Sequence, residues 1–239
     1  MSQVVAFSGG KDSTSMVLRL HELGEAFECL FTPTGNELPA LLGHLDAVMT
    51  MVGKTMILPE NKDLFYWMEF HQALPNWRMR WCTRQIKIEP CIAYLVKHPG
   101  STLLVGLRAD EEKREGLYGS YAQYRYPLRE WGWGLQDVIT YLNQRGVKVP
   151  ARTDCALCYG QRLGEWYRLW RDYPQEYAKG EDWEARTGHT FRSAQRDSWP
   201  AGLAELRQLF EAGKLPRGAT VQLTLDDSDD PQACRVCRF

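Results

Sequence analysis

The chain has 239 residues, 44% of them hydrophobic and 25% charged, with a formal net charge of −1 and seven cysteines. This is a globular balance for one large domain, or one domain with an appendage. It offers no whole-protein basic field for gathering nucleic acid and no apolar run long enough to span a membrane. The chain opens directly on a strand pattern, with no basic region or signal core before it, which predicts a cytoplasmic protein. In a reducing compartment its cysteines point to metal or catalysis before disulfides.

Val4 to Phe7 read as a short buried strand, and Met16, Val17, Leu20 and Leu23 then fall at helical spacing up to Gly24. Between them, Ser8-Gly-Gly-Lys-Asp-Ser13 is a strand-to-helix turn. Gly9 and Gly10 can take positive φ and let the backbone approach a ligand. The helix start adds N–H groups and a positive dipole end, and Lys11, Ser8, Ser13 and Thr14 add donors. Such a turn suits a phosphate chain. A bare glycine turn with Asp12 or Ser13 as helix cap is the plainer alternative. The run is neither the Walker loop nor the dinucleotide fingerprint.

S-G-G-K-D-S after an N-terminal strand resembles the pyrophosphate loop of the ATP pyrophosphatase (adenine nucleotide alpha-hydrolase) superfamily. Later segments resemble, in order, phosphoadenosine-phosphosulfate-reductase-like proteins. Residues 26–32 read as a second strand, followed by Pro33-Thr34-Gly35-Asn36, with Pro33 where those reductases carry Asp. A third strand candidate lies at residues 54–58. "WCTRQIKIEP" resembles a C-x-x-x-K-x-x-P segment with one more residue between Cys82 and Lys87, and with Trp81 in place of one cysteine of a tandem pair. A further strand ends at Gly106-Leu107-Arg108, with Arg114 beyond, and "PLREWGWGLQDVITY" matches the stretch ahead of a C-x-x-C.

The resemblance implies an α/β fold, a parallel five-stranded sheet with helices on both faces, over residues 1–150. Residues 151–239 form a helical, cysteine-containing appendage. Ligands in such sheets sit beyond the strand carboxyl ends. Ser8, Gly9, Gly10, Lys11, Asp12, Ser13, Thr34, Gly35, Gly106 and Arg108 are therefore the expected nucleotide-binding residues. Lys11, Asp12, Arg108 and Cys82 are the expected catalytic ones. The appendage carries Trp166, Tyr167, Trp170, Tyr173, Tyr177 and Trp183 at amphipathic spacing, broken by Pro174, Pro200 and Pro216. These rings read as core in preference to a base-stacking platform, although Arg162, Arg168, Arg171 and Arg186 interleave with them.

Cys155-Ala-Leu-Cys158 and Cys234-Arg-Val-Cys237 have the spacing of metal ligand pairs. Cys82 stands at a helix start beside Arg84 and Lys87, where the dipole is expected to lower its thiol pKa. By resemblance, Cys82, Cys155 and Cys158 map onto ligands of a [4Fe–4S] cluster, with Cys234 or Cys237 as the fourth or with one iron left open. Zinc on the two pairs is the alternative. Cys29 and Cys91 read as core.

The intact loop with Lys11 favours ATP with Mg2+, cleaved to AMP and pyrophosphate to adenylate an acceptor for sulfur transfer. The acceptor, tRNA or DNA among the candidates, and the sulfur donor are open. The alternatives are a thioredoxin-dependent sulfonucleotide reductase with Cys234 or Cys237 as nucleophile, and a non-catalytic nucleotide- or nucleic-acid-binding module with structural zinc.

Overall fold

The computed structural model describes residues 2–111, 123–194 and 196–219. Five strands, β1 (Gln3–Ala6), β2 (Glu28–Leu30), β3 (Met56–Ile57), β4 (Thr102–Leu104) and β5 (Gln123–Arg125), form one parallel sheet in the order β3-β2-β1-β4-β5. Val5 lies opposite Cys29 on one side and Leu104 on the other. The order reverses at β1, so β2 and β4 diverge from it and leave a crevice at the carboxyl ends.

Because side chains alternate along a strand, neighbouring residues feed different cores. Val5, Cys29 and Leu104 pack with Met16, Val17 and Leu20 of α1 (Lys11–Glu22), Leu41, Leu45 and Val48 of α2 (Pro39–Val52), and Val138 and Leu142 of α6 (Leu135–Gln144). Val4, Leu30 and Leu103 pack instead with Cys91 and Leu95 of α4 (Glu89–Lys97). A short α5 (Pro127–Glu130) leads from β5 towards α6. Every strand expected from the sequence is present, the first shifted back by one residue and the second and third shorter than expected, and the fifth, polar Gln-Tyr-Arg, is one that hydrophobic patterning does not reveal.

The C-terminal helices α7 (Leu163–Asp172), α8 (Pro174–Thr187) and α9 (Leu203–Glu211) build a separate core. Trp166 and Tyr177 are fully buried in it with Leu157, Phe191 and Leu203. The same core takes in Leu38, Ile86, and Leu64 and Met68 of α3 (Leu64–His71), so it joins residues on both sides of position 150. The aromatic spacing after residue 160 is thus explained by packing. No helix among the described residues is long and apolar enough to cross a membrane.

Glu184 of α8 is a buried carboxylate inside this core, accepting from the backbone N–H groups of Phe191 (2.9 Å) and Leu203 (2.6 Å). Burial pushes its carboxyl from 4.5 up to about 7, against those two donors. The folded state therefore binds more protons than the unfolded chain between those values, and stability falls as pH rises through that window. The expected loss is on the order of 3 kcal/mol. Urea midpoints at several pH values check it: Glu184→Gln should flatten the slope between about pH 4.5 and 7, although it replaces one acceptor with a donor.

Candidate functional site: a crevice joined to a thiol cavity

The turn after β1 divides its two glycines between two tasks. Gly9 has φ +73°, and a Cβ there would lie 2.5 Å from Leu41 Cδ1 and 2.9 Å from Leu45 Cδ2, so its lack of a side chain lets the loop seat against α2. Gly10 has φ −72° and ψ 162°, an extended helix N-cap with no side-chain cap. Of the two glycines that could take positive φ, only Gly9 does. Neither Asp12 nor Ser13 caps the helix. Ser13 Oγ instead donates to Gly10 O (3.1 Å) and accepts from Ser8 N (3.3 Å), which ties the loop to the first turn. Thr14 turns away from the crevice, its hydroxyl 3.0 Å from His44 Nε2 of α2.

A crevice of about 270 Å3 opens over this turn, lined by Ser8, Gly10, Lys11, Asp12 and Ser13, and further out by Thr34, Gly106, Lys87, Asp154 and Cys155. Lys11, the first residue of α1, is 3% exposed, with its ammonium 3.9 Å from Asp12 Oδ2. A Cβ on Gly106 would meet Ser13 N at 3.3 Å, so the exit of β4 lies directly against the start of α1. Thr34 is held by Glu37, which accepts from its N–H at 2.6 Å and its hydroxyl at 2.5 Å. Gly35, at φ +72°, makes the turn against Asp63 and is not among the lining residues.

Arg108 is not among the lining residues either. It is buried behind Asp12, donating through Nη1 to both carboxylate oxygens (3.0 and 3.2 Å) and through Nε to Asp110 (2.9 Å). Glu111 lies 3.7 Å from its Nη2. Its position orients Asp12.

A second cavity, of about 30 Å3, adjoins the crevice and shares Thr34, Lys87, Asp154 and Cys155 with it. Cys82, Cys155 and Cys158 all line it. The C-x-x-C turn, with Cys158 N donating to Cys155 O at 3.2 Å, is bound to the sheet side by an antiparallel bridge between Glu37 and Cys155. Asn36 adds its carbonyl to Ala156 N and its side-chain oxygen to Leu157 N, both at 2.8 Å. Arg152, buried, donates to Asp154 (3.0 Å), Gln161 (2.8 Å) and Cys155 O (2.8 Å). Thus the turn is fixed from both ends, and Thr153 just ahead of it lies beside Gly10 of the Ser8–Ser13 loop.

The thiol expectation is corrected. Burial, with Cys155 next to it, raises Cys82 to about 11, and burial raises Cys155 as well. Cys82 stands ahead of a π-helical turn, Thr83–Ile88, where enclosure outweighs the helix dipole. Among the described residues no three His, Cys, Asp or Glu side chains are arranged to hold a metal ion. The donor set converging on the small cavity is nevertheless three thiols, the ligand chemistry of zinc and iron–sulfur centres. Cys234, Cys237 and Arg114 lie outside the described residues. Sequence reasoning did not single out Glu37, Asp154 or Arg152; the two flanking the C-x-x-C carried the only signal, their nearness to it.

Residues 2–151 match the family of the phosphoadenosine phosphosulfate reductase domain. Two uncharacterized proteins of Methanocaldococcus jannaschii are 25% and 26% identical over 86% and 75% of this chain. The chain spans 54% and 40% of their lengths, about half of the curated relatives it matches. Among solved structures, phosphoadenylyl-sulfate reductase from Candida auris, in a phosphate complex, superposes with TM-score 0.50 at 15% identity over 62% of this chain and 74% of that one. The U34-tRNA thiolase of Methanococcus maripaludis with its [4Fe–4S] cluster does so with TM-score 0.50 at 13% identity, over 94% of this chain and 82% of that one. Both likenesses are likenesses of fold.

Proposed function

The chain belongs to the phosphoadenosine phosphosulfate reductase domain family, and on that footing we propose that it binds ATP in the crevice and splits it between the α- and β-phosphates to adenylate an acceptor for sulfur transfer. The observation that carries this reading is Lys11, buried at the first position of an uncapped helix and facing the crevice. An acceptor oxygen attacks the α-phosphorus, the bond to the β-phosphate oxygen breaks, and pyrophosphate leaves with the electron pair. Lys11 and the N–H groups of the first turn of α1 neutralise that departing charge, a task of positioning and electrostatics without covalent catalysis. Asp12, held by Arg108, would be the carboxylate that binds Mg2+ on the phosphates. A sulfur nucleophile then displaces AMP from the adenylated acceptor.

Cys82, Cys155 and Cys158 would hold the iron–sulfur cluster, either with Cys234 or Cys237 as fourth ligand or with one iron left open, and in the second arrangement the open iron would supply a site for sulfide. The cavity that the three thiols share adjoins the crevice, which supports a centre beside the chemistry in preference to a remote structural one. Anaerobic purification with metal analysis tests this directly. Cys82→Ser and Cys155→Ser should each lower iron content and the absorbance near 400 nm (roughly the usual region for thiolate-ligated clusters), whereas Cys29→Ser, in the sheet core, should not. Zinc in place of iron, unaffected by Cys82→Ser, would assign a structural staple. The reductase alternative has its own signature: phosphoadenosine phosphosulfate binding far more tightly than ATP.

A further inference from the structure

The aromatic side chains of the C-terminal helices are buried, but a different aromatic group is not. Phe70 is 66% exposed, Trp77 and Met79 are each 47% exposed, and Tyr66 is 45% exposed. Tyr66 and Phe70 stand one turn apart on α3 with rings nearly parallel (12°) and centroids 6.4 Å apart. Lys62 Nζ lies 5.1 Å from the centre of the Tyr66 ring. Rings of this size left in water mark a surface that meets something.

Charge says what. From Phe70 to Ile88 the chain carries Arg78, Arg80, Arg84 and Lys87 and not one carboxylate, within a protein of net charge −1. Arg78 and Arg84 are exposed, and the exposed pair of Arg84 with Glu89 (2.9 Å) is of a kind worth little in water, so a phosphate can exchange into it. The end of α3 meets this basic stretch through His71, whose ring lies 4.9 Å from that of Trp81 and whose Nε2 is 2.8 Å from Gln85 Oε1. Exposed rings beside a run of cations are what a strand of unstacked bases requires: stacking on the rings and neutralisation of the backbone. A duplex, with its bases already stacked, cannot use the rings.

The face also has a direction. Trp77 packs edge-on against Tyr159 (centroids 5.3 Å, 86°), and Tyr159 lines the thiol cavity with Cys82 and Cys158. Trp77 itself is not part of the cavity lining, so a base stacked on it would be one side chain, Tyr159, away from the thiols.

We propose that Tyr66, Phe70 and Trp77, with Lys62, Arg78 and Arg84, bind single-stranded nucleic acid and lead it to the thiol cavity. Its standing as the acceptor rests on the function proposed above; the binding itself does not.

Fluorescence anisotropy of the full chain with labelled oligo(U), oligo(dT) and a duplex, each of about 16 nucleotides per strand, tests it. Both single strands should bind more tightly than the duplex, and the tighter of the two assigns the sugar. Phe70→Ala and Trp77→Ala should each weaken binding about tenfold with an unchanged salt slope. The Arg78→Ala/Arg84→Ala double variant should lower the slope of log K against log salt by about 1.4. ATP binding, measured separately, should not change in any of them. Oligonucleotide binding without ATP binding would leave this surface standing and remove the proposed reaction; ATP binding without oligonucleotide binding would do the reverse. Oligonucleotide affinity unchanged by both ring variants overturns the proposal. So does self-association of the wild type, seen by light scattering and lost in Trp77→Ala, with no oligonucleotide bound, since the face is then a protein contact.

Discussion

Lys11→Ala should slow release of pyrophosphate from ATP by roughly 100- to 1,000-fold while changing ATP affinity only a few-fold. The asymmetry follows from where charge develops. In the ground state the phosphates are already neutralised in part by solvent and metal, but as the bond to the β-phosphate breaks, a full negative charge gathers on the leaving oxygen. A group that meets only that charge raises turnover without tightening binding. Lys11 is suited to this because its ammonium is a compact point charge on a stem enclosed by the loop and α1, 3% exposed, so the site is drier than a surface lysine's. Arginine should rescue it poorly, since a planar fork does not place one compact charge where the ammonium stands. Pyrophosphate production is measured with water as default acceptor, and affinity by titration. Equal loss of affinity and turnover would make Lys11 a ground-state contact, and loss of neither would remove the crevice from the chemistry.

The part of this site that the sequence displays is the part made locally. Val4 to Glu22 changes from an apolar strand to a helical period across two glycines and a lysine, and every force shaping that turn acts within a few residues. What sequence does not display depends on distant partners. Gly9 and Gly10 look alike in the chain, and only Leu41 and Leu45, a helix away, give them different work. Arg108 reads as a phosphate ligand beyond a buried strand. Three carboxylates, one of them Asp12 in the first turn of α1, make it a support instead. Cys82 reads as a helix-start thiolate, but Leu64, Ile86 and Leu157 enclose its cavity, and desolvation reverses the sign of the shift. The strand at Gln123 has no apolar face of its own, because β4 and the edge position define it.

Aromatic residues show the same division. Trp166 and Tyr177 obey an amphipathic period, so their burial is readable. In "LFYWMEFH" apolar residues run right around α3, and no period says that Tyr66 and Phe70 face outward while Leu64 and Met68 face the core. That distinction belongs to the second core, which α3 enters from one side only.

Arg152→Ala should cost about 3–5 kcal/mol and loosen the thiol cavity. The guanidinium is buried, and its three donors each hold a different part of the C-x-x-C turn: the Asp154 carboxylate ahead of it, the Cys155 carbonyl within it, and Gln161 beyond it. Gln161 in turn donates to Ala156 O at 2.6 Å, so Arg152 and Gln161 close a ring of hydrogen bonds around the turn. Removing the arginine leaves a carboxylate, a carbonyl and an amide oxygen without its donors in a place water reaches poorly, which costs more than the bonds themselves. Lysine can replace one of the three contacts and should recover less than half of the loss. Because Asp154 and Cys155 line both the crevice and the thiol cavity, the damage should reach function before global unfolding does. Metal retained per chain and ATP affinity should both fall in Arg152→Ala under conditions where circular dichroism still reports a folded protein. A variant that lowers the melting temperature but keeps metal and nucleotide affinity at wild-type values would show that Arg152 secures the fold alone and leaves the turn in place.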